Sequence, residues 1–134
     1  MDIIIDANIL FSVLIKNGKT EELVFHEDLQ IFAPEFIFEE FRKYTGLILE
    51  KTDRSETELE ELMDDLQKRI RTIPNEETEK YIQEAKDICP DIKDADYFAL
   101  ALKLHCPIWS QDKALKQQKR IRVYNTSEMM EIVR

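Results

Sequence analysis

Acidic side chains recur in this chain where a metal site would need them. Asp6 follows a short β-branched run, and Glu40 lies on a helix behind Pro34. Asp94 and Asp96 sit in the first turn of an apolar helix, and Asp112 stands three residues beyond Trp109. Carboxylates gathered within a few ångströms raise one another's pKa and destabilise a fold unless a cation neutralises them. Hard oxygen donors without His or Cys favour Mg²⁺ or Mn²⁺, which keep waters and recruit substrate phosphates. Such an ion lowers the pKa of a bound water and stabilises the charge that builds on a phosphodiester under in-line attack. The chemistry suggested is hydrolysis of a nucleic-acid backbone. Each acid alone has a plainer role: Asp6 as a helix N-cap, Glu40 as a boundary residue, Asp94 as a charge favoured at a helix N-terminus. Their conjunction carries the weight.

The elements that must position these acids are legible in outline. Residues 3–5 are long enough only for a central, buried parallel strand, and residues 8–15 are apolar at nearly every position, as in a helix buried on most sides. Asn17-Gly18 reads as its C-cap, and a second short helix follows Thr20. A strand over 30–33 stops at Pro34, which suits the first turn of the next helix. There Ile37, Phe41, Tyr44 and Ile48 mark one buried stripe. At about 100° per residue, Glu40 falls about 70° from the centre of that stripe, at the core's edge, while Glu39 falls in water.

Ser55 with Glu58 forms a capping box, after which Leu59, Leu62, Met63, Leu66 and Ile70 keep a helical period to about Arg71. A weak strand over 71–73 and a helix over 76–88 precede the break at Cys89-Pro90-Asp91. Ala95, Phe98, Ala99 and Leu102 stripe a helix ending near His105. Short strands at 107–110 and 122–124 enclose a short helix at 112–118, and a final helix over 127–133 is opened by Asn125 or Thr126. Strands alternating with helices predict an α/β fold, a parallel sheet covered on both faces. In such sheets ligands bind outside the carboxyl ends of the strands, where strand order reverses. Asp6, Asp94 and Asp112 belong at that edge.

With 134 residues the chain has the size of one domain, expected to span 1–134. At 43% hydrophobic and 35% charged, with 2 Gly and 4 Pro, it reads as compact and helix-rich rather than disordered or all-β. No stretch approaches the roughly 20 apolar residues of a membrane span, and the N-terminus lacks a signal-peptide pattern, so a cytoplasmic protein is expected. Cys89 and Cys106 lack CxxC or His-rich spacing and read as reduced thiols rather than zinc ligands. His26 and His105 show no ligand spacing. A net charge of −9 argues against gripping nucleic acid by overall charge. Its distribution is uneven: 13 acids against 7 bases over 50–87, net −6, and 1 acid against 5 bases over 112–122, net +4. The acidic stretch reads as solvated helix faces, a long helical hairpin region around the weak strand.

The segments "IIIDANIL", "APEFIFEEF", "KDADYFALAL" and "IWSQDKAL" resemble, in order and spacing, the motifs of the PIN domain. The resemblance covers essentially the whole chain and is closest to small single-domain prokaryotic members, among them VapC-type toxins. It implies a three-layer α/β/α sandwich around a short-stranded parallel sheet, Mg²⁺ or Mn²⁺ dependence and ribonuclease activity. By the motifs, the family acids fall on Asp6, Glu40, Asp94 and Asp112. Asp94 is selected over Asp96 because alanines follow it at five and seven positions, Ala99 and Ala101. Asp91 matches an extra acid seen in some members. The roles implied are metal binding by Asp6, Asp94 and Asp112, and metal binding or water orientation by Glu40. Asn8 and Ser110 would be hydrogen-bond partners behind them. Lys113, Lys116, Lys119, Arg120 and Arg122 would meet RNA phosphates beside the metal. An antitoxin partner and a homodimer are further family expectations.

Two rivals differ in kind. One is a PIN-fold binding or scaffold module without turnover. The other is a haloacid-dehalogenase-like phosphohydrolase, which also places Asp after its first strand but wants a second Asp two residues on, where this chain has Asn8.

Overall fold

The computed structural model describes residues 1–16 and 18–133. Its centre is strand β1 (Asp2–Ile5), where Ile3 and Ile5 face one core and Ile4 the other, all without exposure. That period of two, apolar on both faces, is what a strand between two helical layers requires. Helix α1 (Ala7–Ile15) follows at once, then α2 (Lys19–Val24) and β2 (Gln30–Pro34). Helices α3 (Ile37–Arg42), α4 (Thr45–Lys51) and α5 (Glu56–Arg69) lead to β3 (Ile70–Ile73). Helix α6 (Asn75–Thr78), a 3₁₀ turn (Glu79–Tyr81), α7 (Ile82–Ile88), a second 3₁₀ turn (Ile92–Asp94) and α8 (Ala95–Leu104) return the chain to β4 (Ile108–Trp109). A third 3₁₀ turn (Lys113–Gln117), β5 (Val123–Tyr124) and α9 (Thr126–Val133) complete it.

The five strands pair in parallel in the order β3-β2-β1-β4-β5. One core gathers apolar side chains of α1 to α5 and α9 on one face of the sheet; the second gathers those of α7 and α8 on the other. The result is the expected three-layer α/β/α fold. Strand order reverses at β1, whose neighbours are β2 and β4. Register there sets Ile5 opposite Trp109, so Asp6 and Ser110 leave the sheet side by side.

Several local expectations need correction. Pro34 does not open a helix; it is the last residue of β2, opposite Ile73, with the ladder continued by Glu35 N–H to Ile73 O at 3.2 Å. A proline at a strand end removes a donor that costs nothing there. The stripe over 37–48 belongs to two helices. The chain turns at Lys43 and Tyr44, tightened by Tyr44 N–H to Phe41 O at 3.0 Å and Thr45 Oγ1 to Arg42 O at 2.9 Å, which leaves Tyr44 exposed while Ile37, Phe41 and Ile48 stay buried. The helix over 76–88 is broken by the 3₁₀ turn at Glu79–Tyr81. The region over 50–87 is not a helical hairpin, since β3 inside it is an edge strand of the sheet. Helix α1 is closed by Lys16 N–H to Ser12 O; Asn17 lies outside the described residues, and Gly18 precedes α2. The helix placed at 112–118 is a 3₁₀ turn.

Other local signals match their reading. Glu58 N–H donates to Ser55 Oγ at 3.1 Å and Ser55 N–H to Glu58 Oε1 at 3.2 Å, a reciprocal cap on α5. At the far end of α5, Arg69 donates to the carbonyls of Val24, His26 and Leu29 and ties down the loop before β2. Asn125 rather than Thr126 caps α9: its Oδ1 accepts Glu128 N–H at 2.8 Å, and its own N–H donates to Glu128 Oε1 at 3.0 Å. Thr126 Oγ1 instead accepts the Trp109 indole N–H at 3.1 Å. Among the described residues no helix is long and apolar enough to cross a membrane.

Candidate active site

The site grows from the paired ends of β1 and β4. Asp6 is 6% exposed and caps α1, its Oδ1 accepting the Asn8 backbone N–H at 2.6 Å. Its Oδ2 accepts the Ser110 hydroxyl at 2.5 Å. The Ser110 hydroxyl oxygen in turn accepts the Asp112 backbone N–H at 3.0 Å. Asp112 then turns outward, its Oδ1 accepting Ala114 N–H at 3.0 Å to start the 3₁₀ turn. A buried carboxylate so bonded cannot rotate freely. One hydroxyl thus links the ends of two strands, holding the Asp6 carboxylate and the Asp112 backbone.

Asp94 joins this group electrostatically. It ends the 3₁₀ turn before α8 and makes no side-chain capping bond. Burial, then the charges of Asp6, Asp91 and Asp112, push its carboxyl up to about 6, with Lys93 pulling slightly the other way. Asp6 is also raised, chiefly by burial with a smaller push from Asp112, against the hydrogen bonds from Ser110, Asn8 and Ile9. Asp91, exposed, caps its own turn by accepting Lys93 N–H at 3.0 Å. Asp96 stands apart, lining a pocket with Asn75, Glu76 and Thr78 beneath α6. The charges of Asp6, Asp91 and Asp112 thus all act on Asp94, and that of Asp112 acts on Asp6.

A sequence profile described as PIN domain matches residues 4–129, from β1 to α9. The chain belongs to the PIN-domain family. PIN domains are generally nucleases, typically with divalent metals. No curated protein sequence matches the chain significantly.

The remaining acid of this PIN domain is held differently. Glu40 is half-buried on α3 and pairs with Lys43 at 3.4 Å, while Glu39 is exposed. No charge effect of Glu40 reaches Asp6 or Asp94. The basic residues also divide. Lys113 follows Asp112 directly, and Lys119 is exposed. Lys116 is paired with Glu128. Arg120 pairs with Glu84 at 2.7 Å, and with Arg122 it lines a 550 Å³ pocket beside His105 and Pro107, at the amino ends of β4 and β5. Arg120 and Arg122 thus belong to the sheet edge opposite the acids.

Sequence reasoning missed Tyr97. Its ring is buried edge-on to Phe36, with centroids 6.0 Å apart, and its hydroxyl meets the Ala7 backbone at the start of α1. Burial, then Asp6, Asp94 and Asp96, raise its pKa far above the usual phenol range. A hydroxyl on the otherwise apolar inner face of α8 was the available signal.

Among the described residues no three acidic, His or Cys side chains already form a cage around a metal. The donor chemistry nevertheless fits a hard divalent cation. Three carboxylates, Asp6, Asp91 and Asp112, act on Asp94, the Cys89 thiol feels the charges of Asp94 and Asp91, and among the described residues Lys93 alone relieves Asp94. Mg²⁺ or Mn²⁺ bound to few side chains and to waters suits carboxylates that feel one another's charge without contact.

Proposed function

We propose that this PIN domain is a Mg²⁺- or Mn²⁺-dependent endoribonuclease. What supports the reading is the Asp6–Ser110–Asp112 linkage at the reversal of strand order, with Asp94 raised by the same acids. Asp6, Asp94 and Asp112 hold the metal directly or through water, and Asn8 and Ser110 orient Asp6. A bound divalent cation would supply charge stabilisation at the phosphate and acidify a water. Ser110 and the Asn8 N–H hold both oxygens of Asp6, so that the carboxylate does not rotate freely. Glu40, half-buried and outside that charged group, orients the attacking water or adds a metal ligand. Phospho-aspartate chemistry is less suited, because Asn8 stands two residues on, where that chemistry wants a second Asp.

The resemblance to small prokaryotic members extends the proposal to a cytoplasmic, homodimeric toxin restrained by an antitoxin. A neighbouring small gene for a DNA-binding protein supports it, and a purely monomeric elution profile counts against the dimer. The central test is cleavage of RNA by purified protein with Mn²⁺, against Asp6→Asn and a chelator control. The nuclease reading requires cutting by the wild type and loss in both controls. If the wild type cuts no RNA and Asp6→Asn changes nothing, the protein is a binding or scaffold module instead.

A further inference from the structure

The pocket of about 550 Å³ at the amino ends of β4 and β5 has no part in the chemistry described so far. Both strands are two residues long, so this pocket and the acidic site lie at opposite ends of the same short strands. Leu102, Pro107 and Ile121 give it an apolar lining, while Arg120, Arg122 and His105, all exposed, give it a polar one. One side chain holds the loop that supplies the arginines. Gln118 Nε2 donates to Leu115 O at 2.9 Å and to Ile121 O at 2.8 Å, and its Oε1 accepts the N–H groups of Arg120 and Ile121 at 2.9 and 2.8 Å. Arg122 O then accepts Ile108 N–H at 2.9 Å, which joins the loop to β4. The backbone under both guanidinium groups is therefore fixed before a ligand arrives, which lowers the entropy cost of binding.

Cations at this pocket run against the chain's net charge of −9. Arg120 bridges Glu84 at 2.7 Å, both side chains being half-exposed, and the Arg122 side chain has no hydrogen-bond or ion-pair partner among the described residues. Asp2, whose charge reaches Cys106, is a second acid nearby. An exposed bridge contributes little, so Arg120 can exchange Glu84 for a more strongly bound anion. Guanidinium groups match phosphate oxygens with paired hydrogen bonds. Glu84 also brings these cations to an aromatic wall, because it stands one helical turn beyond Tyr81. Tyr81 lines the pocket half-buried, with Lys80 Nζ 5.3 Å from its ring centroid. An aromatic ring takes a flat base by stacking, and the volume lies within the range of small-ligand sites. We propose that this pocket binds a nucleoside phosphate, its phosphate at Arg120 and Arg122 and its base against Tyr81, supplied as a free nucleotide or as the phosphorylated end of a strand. The site uses none of the acids at the far edge of the sheet and does not rest on the nuclease reading.

The test is calorimetric titration of the full chain in chelator, which removes any metal that could hold a phosphate at the acidic edge. The probes are adenosine monophosphate, adenosine, inorganic phosphate and a short RNA carrying a 5′-phosphate. The monophosphate should bind with a Kd below about 1 mM. Arg122→Gln should weaken it about 10-fold, the lower end for losing hydrogen bonds to a charged group, and should leave adenosine unchanged. Tyr81→Leu, which keeps an apolar side chain of similar bulk, should weaken the monophosphate and adenosine about 5-fold and leave phosphate unchanged. Arg122 is exposed, so its substitution spares the fold, and a melt of Tyr81→Leu checks the other variant. Asp94→Asn, at the far edge, should change no affinity by more than about twofold, as expected of distant sites.

Absence of saturation by the monophosphate would overturn the site, as would an affinity that Arg122→Gln leaves intact. A loss in Asp94→Asn equal to that in Arg122→Gln would place the nucleotide at the acidic edge and overturn it too. Inorganic phosphate bound as tightly as the monophosphate, with Tyr81→Leu silent, would reduce the pocket to an anion contact and remove the nucleotide. The RNA arm separates the two sources, and the site stands in either. Displacement of the RNA by the monophosphate assigns the pocket to strand ends, and monophosphate binding that the RNA does not disturb assigns it to free nucleotide. RNA cleavage by the wild type, present or absent, moves none of these outcomes.

Discussion

Ser110→Ala should damage this protein far beyond the size of one hydroxyl. The side chain is 1% exposed and serves two partners, donating to Asp6 Oδ2 at 2.5 Å and accepting Asp112 N–H at 3.0 Å. A buried hydrogen bond to a charged group contributes about 1.5–3 kcal/mol and a neutral one about 1 kcal/mol, so the loss should be about 3 kcal/mol. For a domain of this length that lowers Tm by about 10 °C. The penalty also has a pH signature. Burial already raises Asp6 above its ordinary 3.8, and the Ser110 hydrogen bond opposes that rise. Without it the folded state holds the Asp6 proton still more tightly than the unfolded state does. A carboxyl raised in the folded state loses its stabilising contribution as pH climbs through its folded value. The gap between wild type and Ser110→Ala should therefore be smaller near pH 4, where the pH-independent loss of the Asp112 N–H bond dominates, and full at pH 8. Melts followed by the fluorescence of the sole tryptophan, Trp109, buried on β4 and bonded to Thr126 at the start of α9, read this directly. Ser110→Thr keeps the hydroxyl and should stay close to wild type. A Tm drop under about 3 °C at pH 8, or one equal at every pH, would refute the argument that this hydroxyl sustains a buried charge.

The other acids give sharper comparisons. In chelator, Asp94→Asn should be more stable than wild type at neutral pH. Because the Asp94 carboxyl is raised from 3.8 to about 6, its ionisation destabilises the folded state across that window, and the mutant's advantage should open between pH 4 and 7. The full shift corresponds to about 3 kcal/mol, and screening of a half-buried group reduces this to about 1 kcal/mol, a few degrees in Tm. A gap that closes as pH rises would reverse the sign and defeat the repulsion argument. Adding Mn²⁺ at a hundredfold excess over its Kd should stabilise the wild type by about 2.7 kcal/mol and Asp6→Asn much less; equal thermal shifts would remove Asp6 from the metal set. Glu40→Gln should lower kcat on RNA about 100-fold while Glu39→Gln leaves it unchanged, if Glu40 orients the attacking water. Equal kinetics for the two variants would leave Glu40 without that role.

Local chemistry was readable where it is written in neighbouring residues. Three isoleucines ending at an aspartate made β1 and the α1 cap, and Ser55 with Glu58 closed their reciprocal cap, because each depends on contacts within a few positions. The stripe through Tyr44 failed for a reason periodicity does not contain: the chain turns at Lys43 and Tyr44, so a ring in phase with Phe41 faces water. The charge run over 112–122 likewise concealed two destinations. Lys113 stays beside Asp112, while Arg120 and Arg122 lie across the sheet, because β5 begins only after them.

From the chain alone came the α/β alternation, the PIN-like motifs, and the preference for Glu40 over Glu39 by helical phase. The tertiary structure decided which acids feel one another. Asp94 responds to Asp6, Asp91 and Asp112, whereas Asp96, two residues on, lines another pocket. It also revealed the bond between Ser110 and Asp6, 104 residues apart. Helical phase is a property of neighbours and survives in sequence. The meeting of Asp6 with Ser110 depends on Ile5 pairing with Trp109, a register set by the packing of both cores and by no residue adjacent to either.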